Sequence, residues 1–231
     1  VAFGKNLTIT QGFGNTALGN GVTITGGQSS LVAGYQAKLL NEELDDNVVG
    51  AVIVGMGASG ITGADNSIAV GRFSSVEASD AVAIGSSAKA TAKGSIAIGA
   101  NATVAETALN GVAIGTDASV TGENGVALGF GAKAFGASSI AFGAGASTGE
   151  TAVNATAIGT NANALGVSSI AFGTGVSTGE TALNSAAIGT NIQVQGESSY
   201  AIGSNIKILE GEGIASLGSG NKNITGNSNI L

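Results

Sequence analysis

One short tetrad, apolar-Ala-apolar-Gly, returns along this chain at a nearly constant interval, and it constrains the fold more than any other feature. It reads Ile68-Ala69-Val70-Gly71, Val82-Ala83-Ile84-Gly85, Ile96-Ala97-Ile98-Gly99, Val112-Ala113-Ile114-Gly115 and Val126-Ala127-Leu128-Gly129. It continues as Ile140-Ala141-Phe142-Gly143, Thr156-Ala157-Ile158-Gly159, Ile170-Ala171-Phe172-Gly173, Ala186-Ala187-Ile188-Gly189 and Tyr200-Ala201-Ile202-Gly203. The closing glycines lie 14, 14, 16, 14, 14, 16, 14, 16 and 14 residues apart. Looser copies end at Gly4, Gly19, Gly34, Gly55 and Gly218, so the repeat fills nearly the whole chain. A fixed period of this kind marks a stacked-repeat architecture.

Each unit carries a second apolar pair three and five residues past its glycine: Ala88 and Ala90, Ala118 and Val120, Ala132 and Ala134, Ala162 and Ala164, Ile192 and Val194, Ile206 and Ile208. Period-two spacing in both places predicts two short strands per unit, because alternate side chains of a strand share a face. A unit this small cannot bury its apolar face alone. Stacked at about 4.8 Å per coil, such units give an all-β chain, a parallel β-solenoid (β-roll) with coils of about 14 residues. The two residues flanking the tetrad alanine are expected inside the coil, with Phe142 facing Ala132 and Ala134 and Phe172 facing Ala162 and Ala164, large against small. The alanines would then point outward. An unbroken column of methyl groups (Ala97, Ala113, Ala127, Ala141, Ala157, Ala171, Ala187 and Ala201) is therefore expected to form a seam between copies of the chain.

Composition removes most chemistry. Cys, His, Pro and Trp are absent, which excludes disulfides, thiol nucleophiles, imidazole catalysis and Cys or His metal sites. No base is present to activate the many Ser and Thr residues. Gly contributes 40 of 231 residues, more than twice the usual share of about 7%. A hydrophobic fraction of 43% and mean hydropathy of +0.37 are those of a chain that folds. Eight basic against 15 acidic residues give a net charge of −7, a poor surface for nucleic acid, which is bound by clustered Lys and Arg. No apolar run approaches the roughly 20 residues of a membrane-spanning helix. The chain opens inside the pattern, at Val1-Ala2-Phe3-Gly4, and is expected to be a piece of a longer polypeptide.

Departures from the repeat are the other source of information. Two extra residues recur in Ala105-Glu106-Thr107-Ala108-Leu109-Asn110, Gly149 to Asn154 and Gly179 to Asn184. They should widen one turn and display Glu106, Glu150 and Glu180, either as a contact stripe or, more plainly, as solvated charges. A larger insertion, about residues 38–50, should protrude as a loop, with one helical turn as a possibility. Its Glu42, Glu43, Asp45 and Asp46 lack the alternating oxygen ligands and central Gly of an EF-hand. Gly55-Met56-Gly57-Ala58-Ser59-Gly60 has dinucleotide-loop spacing but no following helix, an accident of glycine abundance. Exposed departures (Arg72, Phe73, Lys89, Lys93 and Lys133) are ligand-contact candidates. Phe130, directly after its glycine, is either an exposed anchor or part of the seam.

Ser-Ile-Ala-Ile-Gly on a 14-residue period resembles the head of the trimeric autotransporter adhesins, the YadA-like head, whose unit reads Ser-Val-Ala-Ile-Gly. The likeness is carried by Ser95 to Gly99, Ser139 to Gly143, Ser169 to Gly173 and Ser199 to Gly203. It implies a single head domain over 1–231, with last coils at about 204–231. It further implies a left-handed coil, a homotrimer, no cofactor, no catalytic residue, and display on the Gram-negative cell surface. Anchorage would come through a C-terminal membrane segment that this sequence does not include. The implied partners are copies of the chain and host cells or extracellular matrix proteins, with autoaggregation as a further role. A different class is a β-solenoid with a flat regular face for polysaccharide or ice; ice would call for a long column of Thr-x-Thr, which only Thr8-Ile9-Thr10 and Thr23-Ile24-Thr25 offer.

Overall fold

The computed structural model describes residues 1–41, 48–220 and 224–226, and every regular element in them is a β-strand. The chain divides into two compact units, Val1–Asp117 and Ala118–Leu231. Each is a parallel β-solenoid in which one coil contributes one strand to each of two ladders.

In the first unit the tetrad ladder pairs Ile68 with Val82, Val82 with Ile96 and Ile96 with Val112, all parallel. The second ladder runs Lys38, Ser59, Ser75, Lys89, Thr103 in register. In the second unit Ala127, Ala141, Ala157, Ala171, Ala187 and Ala201 are successive register partners. Along the tetrad ladder the steps between these partners equal the sequence intervals, 14 or 16 residues, so the period seen in the sequence is the coil, and the longer step of 21 residues from Lys38 to Ser59 spans the insertion. The inserted pairs of residues lie in the turn from second ladder to tetrad ladder, between Thr103–Val104 and Val112–Ile114 and at the two equivalent places in the other unit.

Two backbone devices close each coil. The tetrad glycine turns the chain at a φ of +134° in Gly99, where a Cβ would fall on the carbonyl oxygen of Gly115 in the next coil. Two residues later the chain is left-handed again, at Ser87, Asn101, Asp117, Asn161, Asn191 and Asn205 among others. Asn and Asp tolerate this conformation better than other side chains, which explains their recurrence there.

The interior is the reverse of the sequence expectation. The tetrad alanines, Ala97 and Ala141 among them, are fully buried within the single chain, and the flanking residues face outward. Phe142 and Phe172 are both 49% exposed, and Tyr200 is 51% exposed. The pairs three and five residues past the glycine do face inward as expected: Ala88, Ala90, Ile192, Val194, Ile206 and Ile208 are buried. The physical reason is the close approach of the two ladders. Strand alternation puts Ser95, Ala97 and their equivalents on one face, and that face meets the inward pair of the second ladder, leaving room for a methyl or hydroxymethyl group. At Ile53, one of the larger tetrad centres, the opposite position shrinks. Ile53 stands opposite Gly60, whose hypothetical Cβ would lie 3.0 Å from Ile53 Cδ1.

The buried serines two residues before the alanine carry their own partners. Ser95 Oγ donates to Ala92 O at 2.6 Å, and Ser67 Oγ to Ala64 O at 2.6 Å. In the second unit Ser139 and Thr148 share a hydroxyl hydrogen bond of 2.7 Å, and so do Ser169 and Thr178.

The expected loop begins later than the sequence suggested. Lys38–Leu40 is a strand in register with Thr23–Thr25 on one side, and Lys38 and Leu39 pair with Ser59–Gly60 on the other, Leu39 being fully buried. Val48–Val49 pairs with Gly27–Gln28 as a separate two-stranded sheet. Glu42, Glu43, Asp45 and Asp46, with the expected helical turn, lie outside the described residues.

Candidate binding surfaces

Alternation gives each ladder one outer face, and the two faces differ in chemistry. On the tetrad ladder two apolar rows flank the buried alanine. The row after it holds Ile84 and Ile98 in the first unit and Leu128, Phe142, Phe172 and Ile202 in the second. Beside this face, Phe130 stands 65% exposed on the turn that follows Gly129.

The second ladder shows the solvent small polar residues and lysines. Ser59, Ser75 and Lys89 are successive partners in one unit, Lys133, Ser147, Asn163 and Ser177 in the other. Most carboxylates collect elsewhere, on the turns from the second ladder to the tetrad ladder, where Glu106, Glu123, Glu150 and Glu180 are exposed. Glu150 and Glu180 lie two coils apart, about 10 Å, with an unwidened coil between them. Isolated exposed carboxylates at that spacing are solvated charges rather than a continuous acidic stripe.

The ligand-contact candidates from the sequence are all at the surface. Arg72, Phe73, Lys89, Lys93 and Lys133 are exposed. Lys89 Nζ lies 3.0 Å from Glu77 Oε1. Arg72 Cζ sits 4.4 Å from the centroid of the Phe73 ring, a cation–π contact. Phe73 has a φ of +56° at the turn position that Ser, Asn, Asp or Gly fills in most coils. The seam candidates fare differently. Ala97, Ala113, Ala127, Ala141, Ala157, Ala171, Ala187 and Ala201 are sealed inside the coil and present no surface to another molecule, whereas Phe130 does. Exposed residues that sequence reasoning missed include Tyr35, Met56 and Lys38. Tyr35 and Met56 occupy the place directly after the tetrad glycine, as Phe130 does, and that shared place was the available signal. Among the described residues no group of three or more Asp or Glu is placed to hold a metal ion.

Parallel ladders, one glycine-closed turn per coil and two chemically distinct outer faces define a β-solenoid. Residues 77–102, 107–132, 121–146 and 151–175 match the YadA head domain repeat. The crystal structure of the collagen-binding domain of the Yersinia adhesin YadA is similar at 28% sequence identity, covering 65% of this chain and 69% of that one, with a TM-score of 0.44. Comparison with curated proteins found no match.

Proposed function

We propose that this chain is the adhesive head of a surface-displayed fibre, assembled as a homotrimer and attaching the bacterium to extracellular matrix proteins or host cells. The observation that carries the reading is the YadA head repeat itself, matched across residues 77–175 with gaps, on a chain whose tetrad face leaves Phe142, Phe172 and Ile202 half exposed. Contiguous apolar surface of that kind is characteristic of a buried interface. The outer rows of the tetrad ladder, with Phe130 at their margin, are the seam in this reading, in place of the alanines. Contact with a matrix then comes from the remaining faces, each weak alone and multiplied by three chains and by many fibres.

Solid-phase binding of the purified chain to a panel of collagen, fibronectin and laminin tests it. Saturable binding to at least one is expected, and no binding to any of them by a homotrimeric preparation would end the matrix reading. The ice-lattice alternative draws no support from register: Thr8 and Thr10 stack on Thr23 and Thr25, but the next partners are Lys38 and Leu40. A regular hydroxyl lattice stops after two coils.

A further inference from the structure

The first unit places three cations, two serine hydroxyls and an aromatic ring on one continuous patch. Lys38, Ser59, Ser75 and Lys89 are successive register partners on the outer face of the second ladder. Their inward neighbours Leu39, Val76 and Ala90 are fully buried. Ser59 Oγ donates to Ser75 Oγ at 3.3 Å. Arg72 and Phe73 form the turn that leads into the Ser75 strand. Phe73 N donates to Met56 O and Ser87 N to Arg72 O, so this turn is held from the coils on both sides.

Phe73 is costly where it stands. A bulky side chain in left-handed backbone is strained, and strain held at a surface points to use rather than packing. Its ring lies over Gly57, where a Cβ would come within 2.5 Å of Phe73 Cδ1, so the coil below has only hydrogen where the ring rests. On this fixed ring sits the Arg72 guanidinium. Among the described residues no carboxylate pairs with Arg72, since the ion pair formed there joins Lys89 to Glu77. A guanidinium ordered by an aromatic face and free of a carboxylate is a fork for a planar or tetrahedral oxyanion.

We infer that this patch binds an acidic polysaccharide, with Arg72 taking a carboxylate or sulfate, Lys38 and Lys89 taking anions along the ladder, and the serine hydroxyls facing the sugar. Three cations spread over three coil steps, about 14 Å, can meet successive anionic groups along a linear acidic polysaccharide. The patch contrasts with a chain of net charge −7, whose other described carboxylates lie mainly on the opposite turns. The inference rests on the adhesin reading for its biological setting but not for its measurement.

The test uses the full chain and immobilised heparin, with polyglutamate as the acidic polypeptide control. Arg72→Ala should weaken heparin binding roughly tenfold, the loss of one charge-assisted contact. Phe73→Asn should weaken it comparably while leaving the melting temperature equal or higher, because Asn suits the left-handed turn. Glu77→Gln should strengthen binding by releasing Lys89. Parent-like heparin binding by both Arg72→Ala and Phe73→Asn overturns the inference, and so does polyglutamate binding as tightly as heparin, which would make the partner an acidic protein. Either result leaves the matrix panel standing, so the two readings fail separately.

Discussion

Enlarging a tetrad alanine tests the interior at the scale of a single residue. Ala97 is fully buried, so Ala97→Val must force methyl groups into a close-packed lumen. A loss of about 1–3 kcal/mol in denaturant melts is expected. Ala97→Glu should prevent its coil from forming rather than separate copies of the chain, because a buried carboxylate there has no partner. Phe142→Ala reverses in the same way. Its ring is half exposed and no closed cavity is left in one chain, so the roughly 3–5 kcal/mol of a core truncation should not be seen in the isolated protomer. The clue was present in the sequence. The tetrad centre hardly varies from Ala69 to Ala201, while its flanks run from Ala186 and Thr156 to Phe142 and Tyr200. A position that tolerates every volume faces solvent or a partner, and a position that accepts only a methyl group faces a wall. The smallness was visible, but the wall is the chain's own second ladder rather than another molecule.

Strands and turns were more legible than the direction in which their side chains point. Period two and the glycine spacing gave two strands per coil and placed the widened turns at Ala105 to Asn110 and their equivalents, because these depend on local backbone geometry. The direction of a three-residue strand depends on what lies opposite, and only tertiary packing supplies that. The same limit hid Lys38–Leu40, whose sequence breaks the tetrad pattern but whose Leu39 fits the buried position beside Ile24. Buried hydroxyls were also missed, since Ser95 or Ser139 reads as a turn residue until its strand is seen to face inward. Thr148 tests how such a pair holds the coil. Its Oγ1 joins Ser139 Oγ at 2.7 Å and accepts from Phe135 N at 3.1 Å. Thr148→Val therefore removes a partner from the buried Ser139 hydroxyl and from the part-buried Phe135 N–H and should cost about 1–3 kcal/mol. Adding Ser139→Ala to it should recover part of that loss in a double-mutant cycle, and full additivity would show that the two hydroxyls act independently.

For the whole molecule, the decisive surface is the outer face of the tetrad ladder. In the second unit Leu128, Phe142, Phe172 and Ile202 lie on one row, and register makes them a continuous column with Ile158 and Ile188 between. Left in water, such a column would drive association, and a solenoid with this surface is expected to meet copies of itself there. Phe172→Glu separates seam from core better than any alanine variant. The ring is half exposed in one chain, so a carboxylate at its tip reaches solvent in the free protomer and leaves the coil intact. In an assembly the same carboxylate would be desolvated without a partner, repeated once per copy, at several kcal/mol for each buried charge. Light scattering should then report the mass of a single chain, while circular dichroism retains the β-signature. The melting temperature of the parent should rise with protein concentration and that of the variant should not, since only association couples stability to concentration. A variant of unchanged oligomeric mass would move the seam off this face, leaving the lysine-bearing second ladder as the surface through which copies meet.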